Sequence, residues 1–147
     1  MGTELYFPRP IQGYFHPDNA RKFTLTASFI YTDPEKDVWV GIPSGFTTDF
    51  NSIPEAVWWY LAPWEYPEAG LVHDWLYRAP TSFTSTSYKP PLSRQQCDDI
   101  HRRILDLKGC RWSKRQTVWL ALRSFGGRAW SRHRADDLKV GSSQDIL

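Results

Sequence analysis

The sequence has few of the residues that hold small domains together covalently. Only two cysteines, Cys97 and Cys110, occur in 147 residues, so a disulfide scaffold and a zinc-finger spacing are both excluded. The longest apolar run, over 56–62, is far shorter than the ~20 residues of a membrane span. The N-terminus lacks the basic start and apolar segment of a secretory signal peptide. We therefore expect one hydrophobic core in which both cysteines are reduced and buried.

Charge of opposite sign is separated along the chain. Residues 1–100 carry seven Lys/Arg and twelve Asp/Glu, whereas residues 101–134 carry ten Lys/Arg and a single acid, Asp106. A basic segment of this kind favours an anionic partner. Nucleic acid is not favoured, because the sequence has no glycine-rich phosphate loop, zinc-finger spacing or long Lys/Arg cluster. The remaining interpretations are a phospholipid or anionic membrane surface, an acidic protein surface, and a solvated helix face.

The eight tryptophans support the membrane interpretation, because an indole ring suits the boundary between lipid and water. Most of them we assign to the core. For lipid contact we predict two tryptophans and two arginines, namely Trp64, Trp75, Arg123 and Arg128.

The periodicity predicts an α+β fold, in which an N-terminal β-hairpin or small antiparallel sheet packs on a bundle of about four helices. Apolar and polar residues alternate over 22–31, a turn follows at Asp33-Pro34, and 38–43 suits the returning strand. Residues 1–134 are predicted to form a single globular domain. Its first twenty residues are rich in proline and predict an extended arm, and 135–147 predict a frayed polar tail.

Helix starts are marked by a Ser followed three residues later by Glu or Gln, the pattern of a capping box. It occurs at Ser52, Ser93 and Ser113. With a fourth helix that stops before Pro80, the predicted helices are 53–62, 67–78, 94–108 and 114–131. Gly109 is well placed to end the third of these.

The candidate chemical site begins with His73-Asp74-Trp75-Leu76-Tyr77 in the 67–78 helix. His73 and Tyr77 are four residues apart and share a face. The connection to the next helix is long enough to reverse the chain, so an antiparallel helix pair would bring Asp98 back towards His73. A histidine held by a carboxylate has a fixed tautomer and can act as a general base on water. Alternatively, the same residues form a buried polar network that fixes the helix pair.

Further arrangements remain open around His73. Asp49, just before the first helix, is a candidate second carboxylate beside Asp74 for a metal ion. Ser52 is a candidate nucleophile with His73 as its base, although no Gly-x-Ser-x-Gly pattern surrounds it. His101 follows Asp98 by three residues, so His73, Asp74, Asp98 and His101 form a candidate transition-metal site.

His-Asp-x-x-Tyr with an aspartate on a partner helix resembles the core of phospholipase A2, and more closely its compact form in parvovirus capsid proteins. The resemblance covers about residues 60–105. It implies that His73 is the general base, Asp74 a Ca²⁺ ligand, and Tyr77 and Asp98 orienting residues. The family's glycine-rich calcium loop is matched by residues 60–64, where Ala62 and Trp64 replace both glycines.

Most of residues 40–127 also resembles a small family of phage and prophage proteins of unassigned function. The motifs that carry this resemblance are Thr48-Asp49-Phe50-Asn51-Ser52-Ile53-Pro54, Val72 to Tyr77, Ser93-Arg94 with Asp98, and Phe125-Gly126. It implies a protein made in the cytoplasm of a bacterial host, with phage virion proteins, including those of the tail, as further partners. We therefore expect a phage-encoded hydrolase acting on phospholipid or another envelope component. A non-catalytic phage structural or accessory protein is the alternative.

Overall fold

The computed structural model describes residues 3–50, 53–58, 60–61 and 65–144, and the strands precede the longer helices. One antiparallel sheet has the order β1-β2-β5, and a second pairs β3 with β4. The strands of the described residues are β1 Gly13–His16, β2 Asn19–Leu25, β3 Phe29–Asp33, β4 Val38–Ile42 and β5 Thr47–Thr48. The predicted fold class, a small antiparallel N-terminal sheet with helices in an α+β arrangement, is confirmed.

The predicted hairpin is confirmed for β3 and β4, which pair antiparallel from Phe29 opposite Ile42 to Asp33 opposite Val38. Alternate residues of both strands are buried, as expected for strands with one face on the core. The turn is held by Asp33, whose Oδ1 accepts the backbone N–H groups of Glu35 and Lys36. A short-range Asp turn of this kind is visible in the sequence.

The first half of the predicted 22–31 strand belongs to a different sheet from the second half. The chain bends at residues 26–28, and this bend lets β2 pair with β1 and β5 while β3 pairs with β4. The first twenty residues, predicted as an extended arm, include β1 and the start of β2. Gly13 permits this pairing, because a Cβ there would lie 2.3 Å from the carbonyl oxygen of Thr24.

The described helices are α1 Glu55–Trp58, α2 Pro67–Arg78, α3 Arg94–Leu107, α4 Trp112–Phe125 and α5 Gly127–Gln144. The predicted 67–78 helix is confirmed, with Pro67 in the first turn, where a missing N–H costs no hydrogen bond. The capping box at Ser93 and Gln96 is present with both reciprocal hydrogen bonds. Gly109, with φ at +83°, follows the end of α3 as predicted.

Other helix predictions need correction. The predicted 114–131 helix is two helices that meet at Gly126, where a Cβ would lie 2.6 Å from the Leu122 carbonyl oxygen and 3.0 Å from the Tyr77 hydroxyl. The predicted cap at Ser113 is wrong, because α4 begins at Trp112 and Ser113 lies inside it. The N-cap residue is Arg111, whose side chain makes no capping hydrogen bond. Helix α5 continues to Gln144, where a frayed tail was expected from residue 135. Helix α1 is shorter than predicted, and Ser52 lies outside the described residues.

Helix α2 lies at the centre of the molecule, where it packs against α3, α5, β4 and β5. Its buried side chains include Leu71, Val72 and Leu76, which join one hydrophobic cluster with residues of α3 such as Ile104 and Leu105. Cys97 and Cys110 are free and buried, as predicted. Because α2 has neighbours on several sides, the polar residues of its middle turns are removed from water.

None of the described helices is both long enough and apolar enough to cross a membrane.

Candidate functional site

The facing sides of α2 and α3 bring His73, Tyr77 and Asp98 together. The Nε2 atom of His73 lies 2.8 Å from Asp98 Oδ1, and the Tyr77 hydroxyl donates to the same oxygen at 2.6 Å. The other oxygen, Oδ2, accepts from Nη1 of Arg123 at 3.0 Å. The predicted approach of Asp98 to His73 is therefore present. Both oxygens of the carboxylate are bonded, so its orientation is fixed relative to the imidazole.

This cluster is closed to solvent, because His73, Tyr77 and Asp98 are each 0% exposed. Burial raises the pKa of the Asp98 carboxyl, but the hydrogen bond and charge of His73 and the hydrogen bonds of Tyr77 and Arg123 outweigh it. The net result is a pKa below the ordinary value. Burial, reinforced by Asp98, raises the pKa of Tyr77 above its ordinary value. At neutral pH, Asp98 is therefore the ionised acceptor and Tyr77 the neutral donor.

His101 is a second buried histidine beside the first. Its ring meets the His73 ring edge to face, with the centroids 5.1 Å apart. Its Nδ1 is buried and has no hydrogen-bond partner. Burial and the neighbouring His73 together lower the pKa of His101 to about 3, so this imidazole is neutral at physiological pH. Within the described residues, no three or more His, Cys, Asp or Glu side chains converge in a way that could hold a metal. The candidate transition-metal site is therefore not assembled there.

Asp74 lies in a separate polar cluster built by the residues around β5. The Thr48 hydroxyl donates to Asp74 Oδ2, and the backbone N–H of Phe50 donates to Thr48 Oγ1 at 3.0 Å. Arg78, one turn after Asp74 on α2, approaches that same Oδ2 with its Nε at 3.4 Å. Its Nη2 lies 3.3 Å from Oδ1 of Asp49. Asp49 was predicted as a second carboxylate beside Asp74 for a metal ion, and in the structure Arg78 lies against both carboxylates.

The phospholipase resemblance implies a calcium ion on Asp74. Ca²⁺ takes six to eight oxygen ligands. Asp74 offers only Oδ1, which is buried and has no hydrogen-bond partner, because Oδ2 is engaged by Thr48 and Arg78. No further acidic side chain among the described residues joins Asp74 and Asp49 in a metal-binding group. The described side chains therefore do not fit a calcium site, and residues 62–64 of the predicted loop lie outside them.

Of the residues predicted for lipid contact, the three that the structure describes have different surroundings. Arg123 binds Asp98, so it belongs to the buried cluster. Trp75 is half-buried, and its ring meets Phe46 edge to face at 5.0 Å. Arg128 is exposed, and Trp64 lies outside the described residues.

Sequence analysis did not identify Arg78, Thr48 or Arg123 as members of these clusters. For Arg78 a signal was available, since it follows Asp74 by four residues, a spacing that places opposite charges side by side on a helix. No comparable local signal marks Arg123, which reaches Asp98 from a helix 25 residues further along the chain.

The fold and the site define an α+β protein whose central helix pair buries a His–Asp–Tyr cluster. Over residues 23–122 the chain matches DUF1353, a family of proteins of unknown function, and it belongs to that family. The matched region includes His73, Asp74 and Asp98 and stops just before Arg123. No curated protein and no solved structure matches the chain.

Proposed function

We propose that the protein is a phage-encoded hydrolase in which His73 and Asp98 activate water to cleave an ester of phospholipid or another envelope component. The observation that carries this proposal is the contact of 2.8 Å between His73 Nε2 and an Asp98 carboxylate fixed by two further donors. A carboxylate at Nε2 keeps the proton on that nitrogen and makes Nδ1 the basic atom of the ring. This arrangement has the geometry of a histidine general base held by an orienting acid.

His73 is fully buried in the structure, so this mechanism requires the cluster to open to water and to the ester. His73 Nδ1 then takes a proton from water as the water oxygen attacks the ester carbonyl carbon. The resulting imidazolium is stabilised by the ionised Asp98. When the tetrahedral intermediate collapses, the bond to the leaving alcohol oxygen breaks and His73 returns the proton to that oxygen. The products are a carboxylic acid and an alcohol, and the histidine is neutral again. Tyr77 acts as a positioning residue, because its hydroxyl holds Asp98.

An anionic membrane surface as the partner is supported by the exposed residues of α4 and α5. No Asp or Glu occurs between residues 107 and 135. Trp112 is 66% exposed and Phe125 62% exposed, and Arg111 and Arg128 are exposed as well. Exposed aromatic rings together with exposed arginines suit an anionic lipid surface.

The test is the release of fatty acid from vesicles of phosphatidylcholine and phosphatidylglycerol. We expect hydrolysis by the wild-type protein and a loss of at least a hundredfold in His73→Gln and Asp98→Asn, the range that general-base catalysis supplies. Asp33→Asn is the matched control, because it alters another buried carboxylate in the β3–β4 hairpin. It should retain hydrolysis at temperatures at which it is folded. An unchanged rate in His73→Gln would contradict the proposal, and no hydrolysis of either lipid by the wild-type protein would contradict phospholipid as its substrate.

A second candidate function, that of a phage structural or accessory protein, is favoured by the complete burial of His73, Tyr77 and Asp98. In that case the cluster fixes the α2–α3 pair and has no substrate. The vesicle assay separates the two, since a purely structural cluster gives no hydrolysis. His73→Gln and Asp98→Asn would then change only the unfolding transition.

A further inference from the structure

The cluster around Asp74 contains a cation that belongs to the chain itself. Arg78 Nε lies 3.4 Å from Asp74 Oδ2, and Arg78 Nη2 lies 3.3 Å from Asp49 Oδ1. The two carboxylates come from different parts of the fold, one from the middle of α2 and the other from the segment after β5. One guanidinium therefore spans the pair that sequence analysis assigned to a metal ion.

The guanidinium is held in this position by further contacts. Its Nη1 donates to the carbonyl oxygen of Thr47 at 3.5 Å, and its Cζ lies over the Phe46 ring at 5.6 Å from the centroid. The Arg78 side chain is 33% exposed, whereas that of Asp74 is 0% exposed. Arg78 thus closes the cluster from the solvent side, between water and the buried acid.

Charge also argues for a resident cation. An ionised carboxylate buried without compensation is strongly unfavourable, so Asp74 needs a positive neighbour. Among the described residues, Arg78 is the cationic side chain that forms an ion pair with Asp74. The Thr48 hydroxyl adds a neutral hydrogen-bond donor to the same carboxylate. A guanidinium remains protonated at all physiological pH values. It therefore supplies continuously the positive charge that a metal ion would supply only when bound.

We propose that Arg78 is the built-in cation of this site, lying between Asp74 and Asp49 in place of a divalent metal, so that the site is metal-independent. This cluster is separate from the His73–Asp98 cluster of the proposed function, and the inference rests on that function only for a role of the Asp74 cluster in hydrolysis. The inference predicts that the two carboxylates, Asp74 and Asp49, bind a divalent ion weakly while Arg78 is present. Once the guanidinium is removed, they should gain affinity for such an ion.

The test is thermal unfolding with increasing CaCl₂, with calorimetric titration of CaCl₂ as a second measurement. The wild-type protein should give no saturable response. Arg78→Gln should melt at a lower temperature, and calcium should restore part of the loss, because an ion bound only by the folded state stabilises it. The double variant Arg78→Gln/Asp49→Asn should lose this calcium response. Arg78→Lys, which retains a positive charge, should remain insensitive to calcium.

Arg134→Gln is the matched control, because Arg134 donates to the carbonyl oxygens of Tyr77 and Arg78 at the end of α2. It should lose stability without gaining a response to calcium. Saturable binding of calcium to the wild-type protein that Asp74→Asn abolishes would overturn the inference, even if Arg78→Gln failed to fold.

The two proposals fail in different ways. Hydrolysis that EDTA abolishes and calcium restores would keep the proposed function and overturn the metal-independent site. Absence of hydrolysis, combined with calcium binding only after the loss of Arg78, would do the reverse.

Discussion

The β3–β4 hairpin and the α2–α3 helix pair each contain a buried aspartate with nearly the same partners. Asp33 and Asp98 are both 0% exposed. Asp33 accepts from the Tyr31 hydroxyl at 3.0 Å and from Arg103 Nε at 2.8 Å. Asp98 likewise accepts from one tyrosine and one arginine. The same two residue types are therefore used twice to bury a carboxylate.

The two sites differ in their remaining donors. Asp33 takes backbone N–H groups from the turn of its own hairpin, whereas Asp98 takes the imidazole of His73. At each site burial raises the pKa of the carboxyl, but the partners outweigh burial and leave it below the ordinary value. The hairpin shows that Tyr, Arg and backbone donors are sufficient to keep a buried aspartate ionised. The imidazole at Asp98 is therefore the feature that requires a separate explanation.

The largest effect should come from removing either carboxylate. Asp98→Ala removes the acceptor of Tyr77 and the ion-pair partner of Arg123, and it should reduce the free energy of unfolding by about 3–5 kcal/mol. Asp33→Ala should cost somewhat less, because Arg103 keeps Glu35 as a partner. Urea denaturation measures this loss. Only Asp98→Ala should also abolish hydrolysis in protein that remains folded. Equal losses of activity at matched folded fractions would remove the functional distinction between the two sites.

The next largest effect is a dependence of the free energy of unfolding on pH, caused by His101 in the α2–α3 helix pair. The pKa of His101 is lowered from 6.5 to about 3, so the unfolded chain takes up a proton at a higher pH than the folded protein. This contribution to stability is complete above pH 6.5 and is lost as pH falls towards 3, by about 1.4 kcal/mol per pH unit. The carboxyls of Asp33 and Asp98, with lowered pKa values, weaken the fold only as pH falls below about 4.

Urea denaturation of the wild-type protein and of His101→Gln, at pH 7 and pH 4.5, checks this expectation. The wild-type protein should lose stability between the two pH values, and the variant should lose clearly less. A parallel loss in both proteins would show that His101 is not the group responsible.

The smallest effect should come from removing one hydroxyl at each site. Tyr31→Phe and Tyr77→Phe should each reduce the free energy of unfolding by about 1–2 kcal/mol, because a carboxylate with other donors loses one hydrogen bond. Tyr77→Phe should in addition slow the release of fatty acid severalfold, since the hydroxyl positions Asp98, and Tyr31→Phe should not. A rate unchanged in Tyr77→Phe would limit that hydroxyl to stability.

Much of the site's framework could be predicted from local patterns. The position of α2 follows from Pro67 and the apolar residues behind it, and the start of α3 follows from the capping box at Ser93. Because these two helices are joined by a connection long enough to reverse the chain, the approach of Asp98 to His73 was predictable as well. The roles assigned to these residues in catalysis remain predictions.

The contacts that sequence analysis missed are long-range. Arg123 was predicted at a lipid surface but binds Asp98, because the α4–α5 junction at Gly126 packs against Tyr77. Asp33 was assigned only to a turn, and its pairing with Arg103 spans 70 residues. The choice of partner for each charge depends on which helix face meets which strand, and that choice is made by packing of the whole core.

What the sequence determined by itself is local: the alternation of β3 and β4, the caps of α3, and the pairing of His73 with Tyr77 and of Asp74 with Arg78 on successive turns of α2. These features depend on a few neighbouring residues and on the fixed period of a helix or strand. Only the tertiary structure decided that His73 is buried, that Asp98 is saturated by three side chains, and that Arg78 meets Asp49. Burial and long-range pairing are collective, since they require every packed element to be in place at once.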